Sequence, residues 1–380
     1  MKVRHSIYSL AALLLGVSSC IYPYDPDISK ETEKTVVIEG EILVGGISTI
    51  RLSYLTDLDR SASSTAHPFG KAWIEDEDGK KYPSTTVNLS PNISIPTTDA
   101  VSGKQYRAVI EVDGETYVSE WQDAAPKPTI SAIRFSADDR AVTVYVDVDA
   151  EECRTGYMGF SFEETWEFHA DYIPDVVVDP KTWAYSDMMT TWPYYWCYRS
   201  NASKQMVLLD YSTLEGNQTK YYPVTSFPRT DSRNHQKYSI LIKAFALSQD
   251  TYLYNKQTQE MSEQGGDLFS PEPGMLQGNL ICTSEEGRPV MGLVLAAEVT
   301  SKRAFLDGRY LRTVRQDDSF MIAVPKEKMP EYYYDMNYRP IKYATIDENY
   351  VVGWGPHRCI NCLEAGGTQE KPAFWDVYEE

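Results

Sequence analysis

The chain has 380 residues, 42% of them hydrophobic and 24% charged, enough to build two domains of ordinary size. Its formal net charge of -19 opposes non-specific binding to nucleic acid, which depends on Lys and Arg neutralising phosphates. Beyond the N-terminus no apolar run is long enough to cross a bilayer.

At the N-terminus, Lys2 and Arg4 precede an apolar run from Ile7 to Val17, which falls short of a membrane span. Ser18 and Ser19 then stand directly before Cys20. This order is that of a secretory signal, and VSSC resembles a bacterial lipobox, in which the cysteine thiol is acylated before cleavage. Residues 1–19 are therefore expected to be removed, leaving a lipid anchor on Cys20 as the attachment to the membrane. Ile21 in place of Asp favours the outer membrane, and the weakly acidic IYPYDPD leaves open whether the protein faces the periplasm or the medium. Residues 20–33 read as a polar tether.

From there the pattern is that of strands. VVIEGEIL and STIRLSYL are β-branched runs, GKAWIEDEDGKKYP turns at an Asp-Gly, and KQYRAVIEVDGETYVSEW places two alternating strands around Asp113-Gly114. The short spacing predicts an immunoglobulin-like or transthyretin-like β-sandwich over residues 34–123, without the cysteine–tryptophan–cysteine spacing of a true immunoglobulin domain. QDAAPKPT then reads as a linker, and a larger β-rich domain with one or a few helices is expected over 129–380. Within it, ISAIRFS, AVTVYVDVDA, GYMGFSFEETWEFHA and KYSILIKAFALS have strand character. SQDTYLYNKQTQEMSEQGG predicts a helix, with Ser248 as N-cap and Gly265 and Gly266 as the stop, before GNLICTS and PVMGLVLAAEVTSKRAFL return to strands.

Apart from Cys20, the cysteines are Cys153, Cys197, Cys282, Cys359 and Cys362. Disulfides are the default in an exported chain, but an odd set leaves one thiol over. Cys153 is assigned that place because it lies in the charged segment DAEECRTG. Two disulfides are expected among Cys197, Cys282, Cys359 and Cys362, with the pairing open. HRCINC is also half of a common zinc site with His357, yet no second Cys-x-x-Cys completes it, and no metal or other cofactor is expected.

Several segments together resemble one family: VVIEGEI after the tether, KYSILIKAFALSQDTYLYNK, LFSPEPGMLQGNLICTSEEGRPVMGLVLAAEVTSKRAF, and the ending CINCLEAGGTQEKPAFW. These resemble the Bacteroidetes lipoproteins grouped as domain of unknown function 4249. Cys282, Cys359, Cys362, Gly366, Gly367, Pro372, Phe374 and Trp375 fit the family's pattern, as does Cys197, whereas Cys153 does not. The resemblance implies an outer-membrane lipoprotein, often encoded near a TonB-dependent receptor, with no established activity and no catalytic residues to carry over.

Catalytic motifs are missing from the sequence. It holds no Gly-x-Ser-x-Gly, His-Glu-x-x-His, phosphate loop or dinucleotide fingerprint, and His67, His169, His235 and His357 stand in unrelated contexts. The acidic pairs Asp138-Asp139, Glu151-Glu152 and Glu163-Glu164 read as solvated strand edges or turns, and DPDIS and EDEDG as solvated turns without calcium-loop spacing. What stands out is aromatic content, 28 tyrosines and eight tryptophans, concentrated in TWPYYWCY, EYYYDMNY and NYVVGWG. Most should fill the core of a β protein. In TWPYYWCY an extended run would turn Trp192, Tyr194 and Trp196 to one face and Tyr195 and Cys197 to the other, so these three rings are the predicted ligand- or partner-binding surface. The expected function is a non-catalytic accessory of TonB-dependent uptake, with an anchored hydrolase or an adhesive surface protein as the alternatives.

Overall fold

The computed structural model describes residues 35–55, 68–85, 91–153, 155–188, 191–212, 218–264, 278–311 and 318–376. The signal, Cys20, the tether and the proposed helix stop at Gly265 and Gly266 lie outside them. The chain is mainly β, and no helix among the described residues is long and apolar enough to cross a membrane.

Two sheets enclose the first core. In one, Val36–Leu43 pairs with Ile47–Tyr54, which pairs with Asn92–Pro96. In the other, Gln105–Val112 lies between Gly70–Asp76 and Glu115–Ser119. Alternation drives both: Val36, Ile38 and Ile42 of the first strand point inward to meet Ile74, Tyr106 and Ile110 of the opposite sheet. The Asp113-Gly114 hairpin forms as predicted, with both residues at positive φ (54° and 84°) and Val112 opposite Glu115. In the EDEDG turn, Asp76 is buried and its carboxylate accepts hydrogen bonds from the backbone N–H groups of Asp78 (3.1 Å) and Lys80 (2.9 Å). It is thus an inward-facing turn carboxylate rather than a solvated one.

Residues 36–123 do not close this sandwich alone. Val290–Met291 and Val294–Ala297 run parallel to Val36–Leu43, and Leu280–Cys282 pairs with Glu115–Ser119. These late strands cover sheet edges that would otherwise present unpaired N–H and C=O groups. Their place late in the sequence puts them with the second domain on a sequence reading, because parallel pairing with a distant strand leaves no local signal. At Gly292 (φ 108°) the chain passes so close to the Ile38 carbonyl that a Cβ would collide with it.

The second core lies between a three-stranded sheet (Thr129–Ala137, Ala141–Asp149, Gln218–Pro228) and a larger one. In the larger sheet the order is Trp196–Ala202, Tyr157–His169, Lys237–Leu247, Val299–Asp307. Val142, Val144 and Val146 meet Phe160, Trp166, Tyr238, Ile240 and Ile242 there. Glu163 and Glu164 are not both at a solvated edge. Successive residues of a strand face opposite ways, so Glu163 pairs with Lys243 outside while Glu164 is buried and accepts a hydrogen bond from the Tyr238 hydroxyl (2.6 Å). Arg233 neutralises Glu164 from 3.4 Å, its guanidinium placed over the rings of Trp166 and Phe227.

The predicted helix spans Gln249–Gln264, with the Ser248 hydroxyl accepting from the Thr251 N–H (3.1 Å). Tyr252 anchors it by stacking on Tyr157 (4.6 Å). The C-terminal part adds a hairpin, Tyr338–Ile346 with Asn349–Pro356, over a smaller core around Val176, Trp354 and Met329.

Candidate functional site

The TWPYYWCY segment is not one extended run. Pro193 and Tyr194 form a turn, and the strand starts only at Trp196. From there alternation holds: Trp196 lies opposite His169, Cys197 opposite Phe168 and Tyr198 opposite Glu167, so Trp196 and Tyr198 face outward while Cys197 enters the core. Tyr194 and Trp196 are 38% and 43% exposed, as a binding surface requires. Trp192 departs from the prediction. The turn sends its ring onto the small core formed by Tyr172, Met321, Ile341, Cys359 and Ile360, and its indole N–H donates to the Ile360 carbonyl.

One of the two expected disulfides forms, between Cys197 and Cys362. Cys282 and Cys359 are free because they sit in different cores: Cys282 on the edge strand of the first sandwich beside Ser284, Cys359 buried near Trp192. Cys153 is also free, but the charged surroundings misrepresent its position, since it is fully buried in the second core. Burial pushes the thiols of Cys153 and Cys359 up to about 11, which disfavours the thiolate form in both. With Cys362 in a disulfide, the Cys-x-x-Cys pair does not act as one ligand set, and among the described residues no group of His, Cys, Asp and Glu is placed to hold a metal.

Around Trp196 the rings assemble in a way the sequence does not show. His169 stacks between Tyr195 (4.9 Å) and His235 (4.4 Å), and Trp196 stands edge-on to His169 at 5.2 Å. Farther along the same outward face, the strand register lays a row across four strands. Tyr198 is opposite Glu167, Glu167 falls opposite Lys237 one step past the Trp166–Tyr238 pair, and Lys237 is opposite Asp307. Behind this row the C-terminal segment crosses the sheet. Trp375 packs edge-on against Tyr198 (5.4 Å) and Phe305 (5.9 Å), its carbonyl accepts from Lys237 Nζ (3.0 Å), and Phe374 lies 3.6 Å beneath the Arg303 guanidinium. Ser239 and Thr165 are buried on this face.

In front of the row is a cavity of about 350 Å³ lined by Glu167, Gln236, Lys237, Phe305, Asp307 and Arg309. Arg309 grips Asp307 with two hydrogen bonds (2.9 and 2.6 Å) and holds its carboxyl below the usual carboxylate range. Burial raises the Glu167 carboxyl above its ordinary range, against the opposing pull of Lys371 and Lys237. None of the lining residues was singled out from the sequence. Their only signal is the charged or polar alternate position in TWEFH and QKYS, and only the register across four strands brings them together.

Among solved structures, a two-domain fibronectin type III segment of chicken tenascin is 13% identical, over 55% of this chain and 88% of that one, with a TM-score of 0.17. Trypsin-activated alpha-2-macroglobulin from Escherichia coli is 12% identical over 57% of this chain and 15% of that one, with a TM-score of 0.18. CBD12 from CALX1.2 is 10% identical over 72% and 100%, with a TM-score of 0.15. Likenesses at these scores carry no argument about fold or function. No curated protein matches the chain. The model of one family, described as a domain of unknown function (DUF4249), matches residues 21–303, and the chain belongs to that family.

Proposed function

We propose that this protein is a non-catalytic lipoprotein of the outer membrane, anchored through Cys20, which serves a TonB-dependent nutrient uptake system as an accessory binding component. The observation that carries the binding role is a pair of exposed rings, Trp196 edge-on to the stacked Tyr195, His169 and His235, and Tyr194 edge-on to Trp192. The strand that presents Trp196 is fixed from behind by the Cys197–Cys362 disulfide. Rings held this way need little ordering on contact with a partner, and interface aromatics of this kind contribute about 2 kcal/mol each. Anchorage is supported by the order of basic residues, apolar run and small residues before Cys20.

The test is affinity purification from gently solubilised outer membranes, comparing the natural chain with the Tyr194→Ala/Trp196→Ala variant. The expected result is a TonB-dependent receptor recovered with the natural chain and depleted about tenfold or more with the variant, at unchanged melting temperature. Equal recovery of the receptor with both would remove the ring array as the contact, and its absence from both would remove the accessory role.

A further inference from the structure

The cavity in front of Glu167 and Lys237 has features that the ring array does not explain. Cross-strand neighbours of opposite charge ordinarily pair. Yet among the described residues neither Glu167 nor Lys237 forms an ion pair within 4.0 Å. The Lys237 ammonium is turned instead to the Trp375 carbonyl (3.0 Å), with the Phe305 ring 4.8 Å away. The other charges nearby are matched: Asp307 by Arg309, and Lys371 by Asp376. The wall of the cavity thus holds one cation and one carboxylate that share no ion-pair contact within 4.0 Å, Glu167 being hydrogen-bonded to the Tyr198 hydroxyl with Lys371 and Lys237 farther off, together with the apolar surface of Phe305 and Leu306.

We infer that this cavity binds a free α-amino acid with an apolar side chain, its carboxylate held by Lys237, its ammonium by Glu167 and its side chain laid on Phe305. The reasoning is by satisfaction of charge. An anionic ligand would set a second negative charge against the half-buried Glu167, a cationic one would repel Lys237, and a neutral sugar would match neither. A zwitterion answers both groups at once. The volume of about 350 Å³ lies at the small end of ligand sites, in keeping with a single amino acid rather than an oligomer. The assignment rests on the reading of the protein as a binding component, but its test needs neither membrane nor receptor, so the two can fail separately.

The experiment is calorimetric titration of the purified full chain in mild detergent with L-phenylalanine and L-leucine, and with L-phenylalaninamide and N-acetyl-L-phenylalanine. Removing either ligand charge should weaken binding about tenfold or more. Lys237→Met should erase the preference for phenylalanine over its amide, and Glu167→Gln the preference over its N-acetyl derivative. The natural chain tested on the derivatives keeps the proposal falsifiable should either variant misfold. Absence of binding by both free amino acids up to about 10 mM would overturn it. So would equal affinity for phenylalanine and its two derivatives, or folded variants that retain both preferences.

Discussion

Trp192 and Trp196 lie in one short aromatic segment, and Pro193 sends them to different environments. A proline at the first central position of a turn bends the chain out of the extended geometry in which alternate residues share a face. Trp192 therefore falls onto the Ile341 and Ile360 side chains and is tied by its N–H, whereas Trp196 stays on the outward face. Replacing Trp192 with Ala should cost about 2 kcal/mol or more, since packing and a hydrogen bond are lost together. Trp196→Ala should cost less than about 1 kcal/mol. Chemical denaturation of the two variants checks this, and a larger loss for Trp196→Ala would mean that the outward ring is structural. Alternation holds from Trp196 on, with Trp196 outward and Cys197 inward as the extended reading has them, and it breaks at Trp192 because a proline interrupts the strand.

At the level of elements, local signals were readable and pairings at a distance were not. The Asp113-Gly114 hairpin and the Ser248 cap each depend on residues within a few positions of one another. The return of Val290–Met291 and Val294–Ala297 to the first sheet, and the row from Tyr198 to Asp307, depend on partners far along the chain. The disulfide shows the same division. The choice of Cys197 and Cys362 as candidates came from the sequence, but their pairing required knowing that Gly367 packs against Cys197 and that Tyr198 and Thr368 bridge. The bond closes a loop with a sequence separation of 165, and its removal in Cys197→Ser/Cys362→Ser should lower stability by about 3 kcal/mol. The natural chain in reductant should melt alongside that double variant. A double variant as stable as the oxidised natural chain would show that packing alone fixes the C-terminal segment.

For the whole molecule, the chain length is enough for two domains, and the two largest cores lie in the two sandwiches. The proposed anchor at Cys20 lies outside the described residues, and the two sandwiches are built from residues 36–307. Cys20→Ser should accordingly leave a folded protein that washes from membranes with high salt, with the melting temperature of the solubilised natural chain. Retention in the membrane pellet after the wash would show that some other part of the chain holds it there.

The late strands of the first sandwich also set an order of events. As the chain is made from its N-terminus, the sheet begun by Val36–Leu43 stays one-sided until residues 290–297 have followed. The first strand of the described fold is therefore among the last to gain its second neighbour. It waits with an open edge through the synthesis of most of the second sandwich, and pairing across that span is slow because a long loop must close first. During that interval the open edge of Val36–Leu43 is able to pair with a neighbouring chain, as is that of Glu115–Ser119 until Leu280–Cys282 arrives.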